Sequence, residues 1–236
     1  MAGRFSDWLD DRTGYRQILH VMLEEPVPGG ARLRYVFGSV LAYLFMQQVV
    51  LGILLAMYYS PSASDAWAST AYLNDQVTGG WFLRGLHHHG SSAMVVVTVL
   101  HMLQVVIAGA YRRPREFNWW TGLLMGGLVL AFALTGYLLP WDQLSMWAVT
   151  VGTNMAAAAP VVGHEGPFSP AAITADNDAR ALLLGGPTVG GSALLRFYIL
   201  HCVALPLALG LGCILHFWRV RRDGGISGPA GTKGAG

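Results

Sequence analysis

The sequence predicts an all-α membrane protein, a four-transmembrane-helix bundle, and three observations predict it. The chain has 236 residues, 53% of them hydrophobic and only 12% charged, where ordinary soluble domains carry about 25% charged residues. Four apolar stretches, Tyr35 to Tyr59, Leu86 to Tyr111, Trp119 to Leu139 and Leu194 to Trp218, reach the roughly 20 residues needed to cross a hydrocarbon core. Two of those stretches carry histidines in matched pairs, His87 with His101 and His201 with His216.

The segment before the first span, residues 1–31, is a cytoplasmic or interfacial leader. Met1 to Asp11 is charged and lacks the apolar core of a cleavable signal. Trp8 to Glu24 scatters Trp8, Leu9, Tyr15, Ile18, Leu19, Met22 and Leu23, so it either lies on the interface as an amphipathic helix or forms a loosely ordered leader. Residues 32–220 form the four-helix domain, and residues 221–236 a tail. A polar connection with Ser60, Pro61, Asp65, Asn74 and Asp75 joins spans one and two, and an Ala/Gly/Pro-rich connection, roughly Ser145 to Ser192, joins spans three and four.

Charge sets the orientation. Arg4, Arg12, Arg16, Arg32 and Arg34 precede span one; Arg112, Arg113 and Arg115 lie between spans two and three; Arg219, Arg221, Arg222 and Lys233 close the chain. Only Arg84, Arg180 and Arg196 fall on the opposite side. The positive-inside rule then places both termini in the cytoplasm. The bias of arginine over lysine suggests a GC-rich bacterial genome, hence a bacterial inner membrane. No nucleic-acid partner is expected. Cys202 and Cys213 belong to no C-x-x-C-H pattern, so covalent haem attachment of the c type is not encoded and small-residue packing is their role.

The histidines carry the chemistry. Their separations of fourteen and fifteen residues return to nearly one helix face, off by roughly 40° and 60°, with a rise of about 21 to 22 Å. Ionisable residues at membrane depth are costly and mark functional interiors. Paired neutral imidazoles suit a haem iron, and with both axial positions filled by protein the remaining chemistry is electron transfer. Spans two and four run in the same direction, so His87 and His201 form an outer pair and His101 and His216 an inner pair. Within the run His87-His88-His89, His87 is coplanar with His101, while His88 and His89 turn about 120° or more away, toward the outer surface or a neighbouring subunit. The expected cofactors are two non-covalent b-type haems.

Gly38 and Gly52 in span one, and Gly122 and Gly136 in span three, repeat the fourteen-residue interval. A residue without a side chain leaves room for a flat macrocycle edge, although small-residue helix packing uses glycine too. Arg84 lies one turn before His87, where it can pair with haem propionates at the outer surface. Arg112 and Arg115 either do the same at the inner surface or simply set topology.

These residues fall into recognisable motifs: Arg84-Gly-Leu-His87, Gly136-Tyr-Leu-Leu-Pro-Trp-Asp-Gln143, Arg196-Phe-Tyr-Ile-Leu-His201 and Gly225-Ile-Ser-Gly-Pro229. In them the chain resembles the haem-bearing N-terminal part of the cytochrome b family, in particular the short b6 form of bc- and b6f-type complexes, from about Arg32 to Pro229. The fifteen-residue interval in span four is the b6-type spacing. The resemblance implies quinol oxidation at the outer side, with one electron passing to a Rieske iron–sulfur protein and a c-type cytochrome. The other crosses a low-potential haem (His87, His201) and a high-potential haem (His101, His216) to a quinone near the cytoplasm, with proton translocation.

It implies further that Pro140, Trp141 and Asp142 stand beside the quinol-oxidation pocket, and Arg221 beside the inner haem and quinone-reduction site. It implies a homodimeric complex. The family's Pro-Glu-Trp-Tyr loop is not in this sequence, so the resemblance implies a separate subunit that supplies it. Val36 stands where photosynthetic b6 proteins carry a haem-tethering cysteine, so a covalent third haem is not expected. The outer loop Val162 to Ser192 is longer than is usual in the family, and we read it as an idle insertion rather than a cover for a partner. A dihaem membrane anchor for an external dehydrogenase or hydrogenase is the alternative reading, and a haem-free transporter using histidines as proton relays is a more distant one.

Overall fold

Hydropathy dictates four long helices, and the computed structural model, which describes residues 2–24, 27, 30 and 32–226, contains them. Two short helices come first, α1 (Ala2–Thr13) and α2 (Tyr15–Leu23). Gly14, in the left-handed region at φ 62°, breaks one from the other. The leader is therefore helical. Arg16 ties α2 back to α1 through Asp7 at 2.6 Å, and Phe5, Trp8, Ile18 and Leu19 are left exposed.

The spans are α3 (Phe37–Ala56), α5 (Gly80–Ile107), α6 (Glu116–Leu138) and a composite fourth helix of α9 (Gly191–Ile199), a π-helical turn (Leu200–Ala204) and α10 (Leu205–Arg222). Each is long and apolar enough to cross a membrane, and little of each is buried inside the protein. That combination is the signature of helices whose outer faces meet lipid. The fourth helix runs two residues past the expected boundary at 220, and residues 227–229 of the Gly-Ile-Ser-Gly-Pro motif lie outside the described residues.

The helices pack as two pairs. α3 lies mainly against α5, and α6 against α10, while α5 and α6 meet along a smaller seam. Leu44, Met94, Val129 and Leu209, one from each span, form a buried layer across the bundle. In sequence each falls midway between the two histidines or two glycines of its own helix. A second cluster closes one end of the bundle, where Leu138, Val149, Leu184, Leu194 and Phe197 are almost fully buried.

The connections after spans one and three are more helical than the sequence analysis expects. The first contains α4 (Ala66–Asp75), and the second contains α7 (Gln143–Ala157) and α8 (Ala179–Leu184). The stretch from Ser145 is thus a helix for its first dozen residues. Asp142 caps α7 by accepting from the Ser145 N–H at 2.8 Å, and Ser145, Val149, Thr153 and Ala157 bury one face at intervals of four. Small and hydroxylated residues make that face, so it carries little hydropathy signal.

The longer outer loop is stapled. Asp178 caps α8 by accepting from the Ala181 N–H at 2.7 Å and also binds His164 Nδ1 at 2.6 Å. Arg196 closes the other end of α8 by donating to the carbonyls of Leu182 and Ala181. Burial by itself would raise the Asp178 carboxyl, but the Ala181 N–H and His164 outweigh it and hold the group below the usual carboxylate range. A depressed folded-state value contributes stability above the unfolded value, near 3.9, that is lost as pH falls through the folded one. Asp178→Ala should therefore cost about 1 kcal/mol, the typical worth of such a cap, and lower the Tm at pH 7. The loss should shrink when the same melting curves are recorded in strong acid.

Candidate functional site

The four spaced histidines come together in two pairs. The His87 and His201 rings face each other with centroids 6.2 Å apart at an interplanar angle of 74°. Metal–imidazole bonds of about 2 Å put two rings that share one ion at about this separation. His101 and His216 both line a cavity of about 740 Å³, together with Gly38, Gly122, Arg115 and Arg221. The remaining wall is apolar, with Phe45, Met94, Met125 and Leu209. A flat, mostly apolar cofactor with a central metal fits this set of donors and walls.

Each glycine of the two spaced pairs backs one histidine. A Cβ on Gly38 would sit 3.5 Å from His101 Cε1, on Gly52 3.5 Å from His87 Cε1, and on Gly122 3.5 Å from His216 Cε1. At Gly136 it would sit 2.6 Å from His201 Cε1, inside contact distance. The glycines therefore make room first of all for the imidazoles of the neighbouring helix, which refines the expectation of space for a macrocycle edge. Only at Gly136 does the ring exclude a side chain outright.

The π-helical turn explains how a fifteen-residue interval serves the same geometry as a fourteen-residue one. On α6 the two contact points, Gly122 and Gly136, are fourteen residues apart. On the fourth helix His201 and His216 are fifteen apart, and His201 lies inside the π turn. A π turn widens the helix and absorbs one residue, which offsets the excess rotation expected for a uniform α-helix. Pro206 follows at the start of α10. Lacking an N–H, it cannot donate to the carbonyl four residues back and favours such an irregularity.

Two hydroxyls that the sequence analysis did not single out complete the pairs. Thr121 Oγ1 is 2.9 Å from His216 Nδ1, and Thr135 Oγ1 is 3.2 Å from His201 Nδ1. Each threonine stands immediately before a spaced glycine, so a Thr-Gly dipeptide repeated at fourteen residues was the available signal. On α5, by contrast, Nδ1 of His87 and of His101 is buried without a hydrogen-bond partner among the described residues. Gln48 donates to the His87 carbonyl at 2.7 Å and steadies that turn of α5 from α3.

The arginines divide. Arg115 and Arg221 line the inner cavity, and Arg115 also donates to the Gly225 carbonyl at 2.7 Å. Arg112 does not line it; its guanidinium lies 5.7 Å from the Tyr111 ring centroid. Arg84 lines a smaller pocket of about 230 Å³ with Asp75, Pro140 and Asp142. Trp141, between the last two, holds φ at 55°, a conformation rare for a large side chain and worth a functional explanation. His88 and His89 are exposed on α5.

The chain is similar to known proteins. A family model described as Cytochrome b/b6/petB matches residues 22–224. Cytochrome b6 of Auxenochlorella protothecoides is 37% identical over 223 residues, covering 94% of this chain and 97% of that protein. Cytochrome b6 of Gracilaria tenuistipitata var. liui is 36% identical over 227 residues, covering 96% and 99%. A chain of a solved hyperthermophilic respiratory Complex III is similar at a TM-score of 0.79 and 32% identity, covering 97% of this chain and 59% of that one.

Gly136→Ala should displace the His201 ring, because the added methyl would overlap it, and lower the b-type haem content read from the visible spectrum. Gly38→Ala, Gly52→Ala and Gly122→Ala place the methyl at ordinary contact distance from the ring and should leave that content unchanged. Equal loss across all four variants would show that the ring contact does not govern the site.

Proposed function

The chain belongs to the cytochrome b family, as a b6-like subunit of a bc- or b6f-type complex that crosses a membrane several times, and from that premise we propose its work. It is the dihaem subunit of a quinol:cytochrome c oxidoreductase, carrying electrons from an outer quinol-oxidation site to an inner quinone-reduction site. The observation that carries this reading is the pairing of four histidines in two levels, each backed by its own glycine. A haem held at each level supplies reversible one-electron chemistry. His87 and His201 bind at the outer level, and His101 and His216 at the inner level.

The chain's own residues orient and insulate these sites. A threonine hydroxyl has one proton, and those of Thr121 and Thr135 are directed to the Asn118 and Ala131 carbonyls, each at 2.8 Å. The oxygens then accept from Nδ1–H of His216 and His201, which leaves the Nε2 lone pairs free for iron. The layer of Leu44, Met94, Val129 and Leu209 separates the two levels with apolar packing. It keeps water and mobile ions out of the path, so charge crosses by electron transfer alone. Moving one electron through a full 100 mV exchanges about 2.3 kcal/mol with the membrane potential.

Glycines at Gly38, Gly52, Gly122 and Gly136 seat the ligand rings, and Arg115 and Arg84 are placed to pair with propionates at the inner and outer levels. Arg112 belongs instead to the cytoplasmic positive charge that sets topology. Pro140, Trp141 and Asp142, beside the outer pocket, are the quinol-side candidates, and Arg221 in the inner cavity is the quinone-side one. The remaining partners are a subunit bearing the Pro-Glu-Trp-Tyr loop, a Rieske protein and a c-type cytochrome, assembled as a homodimer in a bacterial inner membrane with both termini cytoplasmic.

A pyridine haemochrome assay on the purified complex should give two non-covalent b haems for each copy of this chain. His87→Ala and His201→Ala should lose the same haem, and His101→Ala and His216→Ala the other. One haem per chain, or loss of both from any single variant, would refute the two-level assignment.

A further inference from the structure

We propose that Thr121 and Thr135 are positioning residues that set the redox balance of the two haems separately, Thr121 the inner and Thr135 the outer. The inference rests on the dihaem reading above. Each pair of imidazoles is asymmetric in the same sense. The α10-side ring hands its Nδ1–H to a threonine on α6, at 2.9 Å for His216 and 3.2 Å for His201. The α5-side ring, His101 or His87, has no protein partner at Nδ1 among the described residues. So in each pair one ring has a threonine hydroxyl within hydrogen-bond distance of its second nitrogen and the other ring has no such hydroxyl.

The direction of the effect follows from the hydrogen bond. An acceptor on Nδ1–H shifts electron density toward Nε2 and makes the imidazole a stronger donor. A stronger donor favours the more highly charged ferric iron and lowers the midpoint potential. The threonine cannot reverse roles, because its one proton is directed to a backbone carbonyl of its own helix, Asn118 or Ala131. The hydroxyl is thus a fixed acceptor. Both threonines are also buried, with relative exposures of 8% and 5%, which leaves little room for water to substitute. Since Thr121 and Thr135 are fourteen residues apart on one helix, each acts on one level only.

Valine has the shape of threonine without the oxygen, so Thr121→Val removes the acceptor and leaves the packing. Potentiometric titration of the assembled complex in membranes should then show one b haem shifted upward and the other unchanged. The shifted haem should be the one missing from His101→Ala. About a tenfold change in ferric-over-ferrous preference would appear as about 59 mV for this one-electron couple. Thr135→Val should shift the other haem upward, and Thr121→Ser and Thr135→Ser should restore wild-type potentials. Thr121→Ala and Thr135→Ala remove the oxygen with less bulk and give the same readout if valine expels the haem. Unchanged potentials in the valine or alanine variants, or equal shifts of both haems from one substitution, would overturn the proposal. A wild-type complex without two b haems would instead overturn the dihaem reading itself.

Discussion

The fold turns on a register held between neighbouring helices: a ring on one helix opposite a residue without a side chain on the next. α3 offers Gly38 and Gly52 to His101 and His87, and α6 offers Gly122 and Gly136 to His216 and His201. Because the same interval recurs on α3, α5 and α6, sliding any helix by one residue would break two contacts at once. Gly136 is the tightest of the four. It opposes His201, the one histidine that sits in a π turn rather than an α-helix, so the irregular backbone and the closest approach occur together.

Much of this was legible in the sequence because it is periodic. Spans announce themselves by hydropathy, and the histidine and glycine intervals by arithmetic on a 3.6-residue helix. What stayed hidden was not periodic in the same way. The π turn adds one residue that a uniform 100° step converts into false rotation, and only Pro206 hinted at it. Helix α7 buries Ser145, Val149, Thr153 and Ala157, a face too small and polar to stand out within an Ala/Gly/Pro-rich stretch. Thr121 and Thr135 were hidden because threonine in a membrane helix ordinarily bonds its own backbone, as both do here; the second bond to a distant ring needs coordinates.

Arginines illustrate the opposite problem. Sequence position placed Arg112 and Arg115 at the same membrane surface, three residues apart, and gave no reason to separate them. In the structure one lines the inner cavity and the other lies over Tyr111. Residues in a connection do not inherit a fixed facing from a helix, so their direction depends on the turn, and proximity in sequence carries little information about it.

The packing of the bundle also decides how it depends on what it binds. α3 and α5 form one unit and α6 and α10 another, with a narrower α5–α6 seam between them. A membrane helix gains nothing from hiding apolar surface against protein rather than lipid, so the units are held by close packing and polar contacts. A cavity of about 740 Å³ lies between the units, and the Leu44, Met94, Val129 and Leu209 layer, the α5–α6 seam and Tyr59, which donates to the Leu139 carbonyl, bridge them. His101 belongs to one unit and His216 to the other, as do His87 and His201. Any group ligated by both members of a pair therefore joins the two units. Its binding free energy becomes assembly free energy, so a group held by such a pair would also fasten the bundle.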